Sequence, residues 1–174
     1  MVYIVKIHVD GGCRCNGQPG SIGAAAAAFN NEYGEFHGET EKALPSSPTP
    51  TNQRAEITSV ILGLEMALER YDQLHSNPFL DVTIYSDSKY AVRYMNEWVY
   101  KWSKNGWTTS AGKEVANRDL IEEASSLDDL LQEKGDARYV WIPREKNQDV
   151  DQLCNELMDG MCCYRQSLYS DDSW

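Results

Sequence analysis

The change from strand-like to helix-like hydrophobic spacing along the chain limits the folds that it can adopt. From Tyr3 to Val9 every second residue lies on one apolar face, which is typical of a β-strand. The segments SIGAAAAAFN and EYGEFHGETEKA follow as two further strand candidates, joined by a turn at Asn30-Asn31. We expect Asp10 to end the first strand and GGCRCNGQPG to form the next turn. This part of the chain therefore predicts an antiparallel meander.

After the loop PSSPTPT, the apolar spacing becomes that of helices alternating with strands. A buried helical face, with its i, i+3, i+4 spacing, is expected at Ile57, Val60, Ile61, Leu64 and Leu68. The elements expected next are a strand at Leu80–Tyr85, a helix from Ser88, a helix at Asn117–Glu133, a strand at Arg138–Ile142 and a last helix with apolar residues from Val150 to Met161. Because helices precede the last two strands, we expect both to run parallel to the first strand. The predicted fold is α/β, a mixed five-stranded sheet with helices on both faces.

The length of 174 residues fits one domain. We assign residues 1–163 to this domain and residues 164–174 to a polar, acidic C-terminal tail.

No apolar run approaches the roughly 20 residues of a membrane span, and no basic leader precedes the first strand, so we expect neither membrane binding nor secretion. The five cysteines are an odd number, which favours reduced intracellular thiols. Nothing indicates an obligate protein partner, so we expect a monomer; nucleus, mitochondrion and cytoplasm are not distinguished.

The charge is unevenly distributed along the chain. Acidic residues outnumber basic ones by 27 to 16, and the net charge of −11 argues against a nonspecific nucleic-acid binder. The stretch Lys89–Arg118, which we name the basic segment, holds six basic and two acidic residues, a net charge of +4, so the remaining residues carry −15. Trp98, Trp102 and Trp107 lie among these charges. The pattern is typical both of a solvated helix face and of a surface that binds a polynucleotide.

Four carboxylates stand at the boundaries of predicted elements. Asp10 and Asp87 each follow a strand, and Glu56 and Asp151 lie near the starts of two helices. If the first and fourth strands are neighbours, these acids can meet at one edge of the sheet, and a cluster that repels itself is tolerable where it binds cations. Ligation by oxygen alone suits Mg²⁺ or Mn²⁺. The alternative is that each acid separately caps a helix or interacts with a helix dipole.

The residues around these acids resemble the four active-site segments of type 1 ribonuclease H, in the same order. The segments are DGGCRCNG around Asp10, TNQRAEI around Glu56, YSDSKYAV around Asp87 and NQDVDQL around Asp151. The sequence WSKNGWTTSAGKEVANRDL is similar to the basic handle and following loop of cellular members, especially eukaryotic ones. The resemblance spans residues 3 to 160, and the additional N-terminal hybrid-binding module of many eukaryotic members is not part of this sequence.

The resemblance implies a role for each matching residue. Metal ligation falls to Asp10, Glu56, Asp87 and Asp151, with Asp149 as a competitor for the last position. Two Mg²⁺ ions are implied, for which Mn²⁺ is a possible substitute. The residues implied to contact an RNA–DNA hybrid through its minor groove are Asn16, Asn52, Gln53, Cys13 and the backbone around Arg14 and Cys15. The residues implied to meet the DNA strand are Trp107 as a packing surface, Thr109, Ser110 and Asn117 as a phosphate pocket, and Lys101 and Lys104 on the handle.

The sequence departs from the family pattern in three places. Most cellular members carry a mobile histidine before the last helix, whereas here WIPREKNQ contains none and resembles archaeal members that carry an arginine. Arg144 is therefore the expected substitute, with Glu145 as the alternative. Since arginine stays protonated at pH 7, its role would be electrostatic or in product release. The other departures are an inserted residue after Asn16 and Cys15 where glycine is usual.

The resemblance implies a metal-dependent endonuclease that hydrolyses the RNA strand of RNA–DNA hybrids and leaves 5′-phosphate and 3′-hydroxyl ends. In the two-metal mechanism one ion activates the attacking water and the other stabilises the leaving oxygen. The alternative function is a weak or inactive hybrid-binding module of the same fold. Loss of a ligand would indicate that alternative, and all four acids are present.

Overall fold

The computed structural model describes residues 1–30 and 36–170. Asn31 of the predicted Asn30-Asn31 turn and residues 32–35 of the predicted third strand therefore lie outside the described residues. The strands are β1 (Val2–Arg14), β2 (Ile22–Asn30), β3 (Phe36–Ala43), β4 (Phe79–Ser86) and β5 (Gly135–Trp141). The helices are α1 (Asn52–Gln73), α2 (Lys89–Arg93), α3 (Val99–Lys104), α4 (Arg118–Gln132) and α5 (Gln148–Ser170). A π-helical turn, Tyr94–Trp98, joins α2 to α3, and a 3₁₀ turn, Arg144–Lys146, precedes α5.

The described strands form one five-stranded sheet in the order β3-β2-β1-β4-β5. Strands β1, β2 and β3 pair antiparallel, and β4 pairs parallel to both β1 and β5. This arrangement confirms the predicted α/β fold and the parallel direction of the last two strands. It also makes β1 and β4 neighbours, as the clustering of Asp10 with Asp87 requires.

Helices cover both faces of the sheet, as predicted. Val5, Ile7 and Val9 pack with α1 and α4 in the larger of two hydrophobic clusters. On the opposite face α5 packs through Val150, Cys154 and Met158. The alanines of β2 alternate between the two clusters. Ala25 and Ala27 lie on the face covered by α1, and the face covered by α5 carries Ala24, Ala26 and Ala28. Because alanine is small, helices on both sides can approach the centre of the sheet closely.

The first strand is longer than predicted, and the placement of its end at Asp10 is wrong. Pairing with β4 stops at Val9 opposite Ser86, but pairing with β2 continues until Arg14 opposite Ile22. The glycines after Asp10 therefore lie inside the strand and not in a turn. A Cβ atom at Gly11 would lie 2.2 Å from the backbone carbonyl of Ala55 in α1. Gly11 is thus needed for the close contact between β1 and α1, and this contact brings the backbone of Glu56 next to the residue that follows Asp10.

Other boundaries differ less from those predicted. Strand β5 covers residues 135–141 where 138–142 were expected, and the predicted helix Asn117–Glu133 is α4, with Asn117 at its N-cap position. Helix α2 begins directly after Ser88, as predicted, and Ser88 is its N-cap. Helix α5 continues through Ser170 across the predicted boundary at residue 163, so the division into domain and tail stays a prediction. None of the helices in the described residues combines the length and apolarity that a bilayer span demands.

Candidate active site

A cleft of about 500 Å³ opens where the ends of β1 and β4 meet the starts of α1 and α5. The predicted site residues that line it are Asp10, Glu56, Asp87, Asp151, Arg144, Cys13, Arg14 and Asn52. The sheet order makes β1 and β4 neighbours, so Asp10 on β1 and Asp87 directly after β4 both lie at the point where the parallel pairing ends. Helix α1 contributes Glu56 from its second turn, and α5 contributes Asp151 from its first. Four elements distant in sequence thus bring four carboxylates to one cleft.

Asp10 is the most buried of these acids, with 8% of its surface exposed. Burial, together with the charges of Asp87 and Asp151 and hydrogen bonding to both, raises the pKa of Asp10 to about 8. Burial and the charge of Asp87 also raise the pKa of Glu56, although a hydrogen bond from Ser88 opposes this shift. Burial and the neighbouring carboxylates together therefore favour the protonated form of Asp10 in the metal-free cleft. A cation in the cleft would relieve the repulsion between the carboxylates.

Protein donors hold two of the four carboxylates. The Ser88 hydroxyl donates to Glu56 Oε2 at 2.6 Å. Arg144 Nη2 donates to Asp151 Oδ1 at 3.4 Å, and Asn155 Nδ2 donates to Asp151 Oδ2 at 3.3 Å. Arg144 is 78% exposed in its side chain and lines the cleft, so its cationic group lies beside the acids. Asp149, the competitor of Asp151, is not among the lining residues; its charge instead acts on His8 on the α5 side of the sheet.

One rim of the cleft carries the residues implied to read the minor groove. Asn16 Oδ1 accepts a hydrogen bond from the backbone N–H of Asn52 at 2.9 Å, which joins the β1–β2 loop to the start of α1. Gln53 is exposed beside them. Cys15 has a φ of 57°, in the left-handed region that favours glycine, which accounts for the glycine expected at this position. The Arg14 guanidinium reaches across the rim to Asp159 in α5, with 2.7 Å between Nη2 and Oδ1.

The basic segment forms α2, the π-helical turn, α3 and the loop before α4. Lys101, Lys104 and Lys113 are exposed and form no ion pair within residues 1–30 and 36–170. Arg118 differs because it pairs with Glu114 and Glu122 while its guanidinium lies 6.0 Å from the Trp107 ring. Three lysines therefore present uncompensated positive charge.

The residues predicted for a phosphate pocket lie at the tip and at the C-terminal end of the loop that follows α3. Thr109 is near the tip, where its N–H donates to the carbonyl of Lys113 at 2.7 Å, and Ser110 is exposed next to it. At the far end, Asn117 Oδ1 accepts a hydrogen bond from Arg54 at 3.3 Å. The Val115 N–H donates to the Trp107 carbonyl at 3.0 Å and closes the loop, but the hydrogen bonds of the described residues do not link Asn117 to Thr109 or Ser110. A single pocket formed by Thr109, Ser110 and Asn117 therefore stays a prediction.

Comparison with known proteins establishes the family. The model of the RNase H family matches residues 3–160 of this chain. The chain belongs to the ribonuclease H family. The ribonuclease H of Hydrogenovibrio crunogenus is 34% identical over 161 residues, covering 90% of this chain and 97% of the relative. That of Nitrosomonas eutropha is 32% identical over 163 residues, covering 90% and 91%.

Solved ribonucleases H share the fold. LC11-RNase H1, which was solved in complex with an RNA/DNA hybrid, aligns with a TM-score of 0.65 and 25% identity, covering 91% of this chain and 99% of that one. RNase H1 from the halophilic archaeon Halobacterium salinarum gives a TM-score of 0.62 at 25% identity, with the same coverage of both chains. This ribonuclease H is thus a nucleic-acid-binding hydrolase, whereas the eukaryote-like handle and the archaeal likeness of Pro143-Arg144-Glu145 stay predictions.

The cleft has the donor chemistry of a divalent-metal site, on which ribonucleases H generally depend. Its acids offer hard oxygen ligands of the kind that Mg²⁺ and Mn²⁺ prefer. Within the described ranges, however, no three His, Cys, Asp or Glu side chains are gathered closely enough to ligate one ion. Glu56 and Asp151 are held by Ser88 and Arg144 instead. Asp87 and Asp151 already lie within hydrogen-bonding reach of Asp10, whereas Glu56 is turned to Ser88, so metal binding would require these side chains to adjust.

Sequence reasoning missed several residues of the ribonuclease H cleft. Trp141, at the end of β5, is 44% exposed and donates from its indole N–H to the Asp87 carbonyl at 3.1 Å. Cys154, in α5, donates to the Asp10 carbonyl at 3.2 Å, and Ser88 bonds to Glu56. A cysteine on the apolar face of a helix and a serine at a helix start have ordinary structural interpretations. No sequence signal separates them from that background.

Proposed function

We propose that this ribonuclease H cleaves the RNA strand of RNA–DNA hybrids, with Asp10, Glu56, Asp87 and Asp151 as ligands for two divalent metal ions. The observation that carries the proposal is the convergence of these four acids on one cleft. If each acid only capped its own helix or interacted with its own helix dipole, the four side chains would not be expected to converge on one cleft. The raised pKa of Asp10 supports a site that requires positive charge for full ionisation.

Selectivity for a hybrid would come from two surfaces beside the cleft. Asn16, Asn52 and Gln53 supply short polar side chains, which suit the 2′-hydroxyls and base edges of a wide minor groove. Cys13 and Arg14 continue this surface along β1 into the cleft. The hybrid bound by LC11-RNase H1 supports the same substrate class for this chain. We assign the RNA strand to this side.

The DNA strand would lie on the basic segment. Lys101, Lys104 and Lys113 supply charge for phosphates, while Trp107 supplies a partly buried aromatic surface between α3 and the following loop. The residues proposed to complete the phosphate contacts are Thr109, Ser110 and Asn117. The strongly acidic remainder of the chain leaves this segment as the positive surface that phosphates would approach.

The residues of this chain prepare the reaction by placing charge. When bound, the two metal ions would supply an activated water and stabilise the leaving 3′ oxygen, which yields 5′-phosphate and 3′-hydroxyl ends. The four acids bind and orient the ions without forming a covalent bond to RNA. Arg144 lies at the cleft with its charge close to Asp151, where it can stabilise a phosphate that carries additional negative charge. Mg²⁺ is the proposed metal and Mn²⁺ a substitute.

A cleavage assay tests the proposal directly. Labelled RNA–DNA hybrid, duplex RNA and duplex DNA of one sequence are incubated with the enzyme in Mg²⁺, in Mn²⁺ and in EDTA. We expect cuts in the RNA strand of the hybrid alone, lost in EDTA, with 5′-phosphate ends that a ligase can join. Hybrid binding without cleavage under all metal conditions would instead support the binding-module alternative. Sedimentation of the same sample tests the proposed monomer, and a protein ending at residue 163 tests whether the tail is dispensable.

A further inference from the structure

Asn147 lies at the junction between the 3₁₀ turn Arg144–Lys146 and helix α5, and it is 2% exposed. Its backbone N–H donates to the carbonyl of Arg144 at 3.0 Å, and its carbonyl accepts from the N–H of Asp151 at 3.2 Å. Its side-chain Nδ2 donates to the carbonyl of Val9 at 2.9 Å. One buried residue thus connects the backbone of the Arg144 turn, the first turn of α5 and the end of the β1–β4 pairing.

The bond to Val9 falls at a particular place in the sheet. Val9 opposite Ser86 is the last pair between β1 and β4, and the next residue of β1 is Asp10. A second contact from α5 follows immediately, since Cys154 donates to the carbonyl of Asp10 at 3.2 Å. Asn147 and helix α5 therefore hold two consecutive carbonyls of β1, on either side of the Asp10 Cα atom.

The side chain of Asn147 is poorly explained by stability alone. Its Oδ1 is buried and has no hydrogen-bond partner among the described residues. Burying an amide with one unsatisfied oxygen is unfavourable compared with an apolar side chain of similar size, so a residue selected for packing would not be asparagine. The Nδ2 bond to β1 is what this side chain contributes. That bond sets the separation between the backbone before Asp10 and the backbone before Asp151.

We propose that Asn147 is a positioning residue that fixes Asp10 and Asp151 at the separation needed to bind one metal ion jointly. It contacts neither the ion nor the substrate. The inference rests on the metal binding of the proposed function. Residues that orient metal ligands in this way typically change metal affinity or activity by about 10- to 100-fold when replaced.

Replacing Asn147 by Ala removes the bond to Val9 but leaves the backbone bonds to Arg144 and Asp151 possible. We expect the affinity for Mg²⁺, measured by calorimetry without substrate, to fall about 10-fold or more. At fixed Mg²⁺ the value of kcat should fall, and excess Mg²⁺ should restore most of it. The KM for the hybrid should change less than twofold, because Asn147 lies beneath the cleft and not on its rim.

Tyr139→Phe is the matched control, since it also removes one buried side-chain hydrogen bond, to Asp128, away from the cleft. It should lower stability to urea while leaving Mg²⁺ affinity unchanged. Equal Mg²⁺ affinities for Asn147→Ala and the unaltered protein would overturn the inference, even if stability falls. Absence of Mg²⁺ binding by the unaltered protein would overturn the proposed metal site itself, so the two failures are distinguishable.

A measurement on the unaltered protein covers the case in which Asn147→Ala does not fold. Amide hydrogen exchange of Asn147 and Asp151 is followed while Mg²⁺ is added. If the bonds around Asn147 hold the two ligands in place, both amides should exchange more slowly as Mg²⁺ binds. The midpoint of this slowing should match the midpoint of Mg²⁺ binding. Unchanged exchange at both amides during Mg²⁺ binding would contradict the positioning role.

Discussion

The hydroxyl of Ser88 joins two elements of the candidate active site, because it donates to Glu56 Oε2 at 2.6 Å while accepting from the Ala91 N–H at 3.1 Å. The first bond holds a carboxylate of α1, and the second caps the start of α2 immediately after Asp87. One side chain therefore couples the orientation of Glu56 to the end of β4. The hydrogen bond also favours the charged form of Glu56 and opposes the rise in its pKa caused by burial.

Replacing Ser88 by Ala should lower both stability and activity. Loss of the helix cap is expected to cost about 1 kcal/mol in the free energy of unfolding, as is typical for serine at this position. Activity should fall because Glu56 is no longer oriented. Urea unfolding and hybrid cleavage measure the two effects. Ser103→Ala is the control, since this exposed hydroxyl bonds only to the carbonyl of Tyr100 among the described contacts; equal behaviour of both variants would contradict the prediction.

Replacing Asp10 by Asn should lower hybrid cleavage by several orders of magnitude while the fold is retained. The amide keeps the shape of the carboxylate but loses the charge that a metal ion requires. Asp87→Asn should act in the same direction. Cleavage rates and circular dichroism of the purified variants test this expectation, and a rate near that of the unaltered enzyme for Asp10→Asn would exclude Asp10 as a metal ligand.

The Asp10→Asn variant should also change how the free energy of unfolding depends on pH. The folded-state pKa of Asp10, about 8, lies above its ordinary value of 3.8, so the folded state binds more protons than the unfolded state between these values. Without metal, the free energy of unfolding should decline as pH rises from about 4 to 8, by at most about 1.4 kcal/mol per pH unit from this group. Asp10→Asn should remove this decline and be the more stable protein at pH 8. Parallel urea titrations at pH 5 and pH 8 in EDTA measure it.

The exposed lysines of the basic segment should control the salt dependence of hybrid binding. Each phosphate contact contributes about 0.9 to the slope of log affinity against log salt concentration on duplex DNA, so replacing Lys101, Lys104 and Lys113 by Gln should flatten that slope by up to about 3. Replacing Lys42, on edge strand β3, is the matched control. An unchanged slope in the triple variant would mean that the basic segment is a solvated face.

Replacing Arg144 by Ala should lower turnover more than hybrid affinity, because the proposed interaction is with a phosphate that has already docked. Arginine does not titrate between pH 6 and 10, so the shape of the pH–rate profile should stay the same. If Arg144 serves only its exposed ion pair with Asp151, turnover should be normal and the loss of stability at most about 1 kcal/mol. Single- and multiple-turnover rates distinguish these outcomes, and normal values for both would direct attention to Glu145.

The fold followed from local patterns wherever one face of an element is buried and the other is not. The alternation before Asp10 and the helical spacing from Ile57 to Leu64 predict elements that the structure contains, because the periods of strands and helices decide which side chains can share a buried face. The prediction of a turn at Gly11-Gly12 is wrong because it rests on the local pattern alone. Glycine is typical of turns, and its role in admitting the backbone of Ala55 depends on a helix more than 40 residues away in sequence.

The candidate site also has features that the local sequence predicts and features that depend on the tertiary structure. The sequence alone singled out Asp10, Glu56, Asp87 and Asp151, from predicted element boundaries and from the resemblance of their flanking segments to ribonuclease H. Their convergence, the donors that hold Glu56 and Asp151, and the bond from Asn147 to Val9 were decided by the tertiary structure. The physical reason is the distance along the sequence over which the relevant interactions act. Strand and helix periods are set by neighbouring residues. A carboxylate's pKa and its hydrogen-bond donors instead depend on segments that meet only when the sheet order brings β1 beside β4 and α5 packs against β1 and β2.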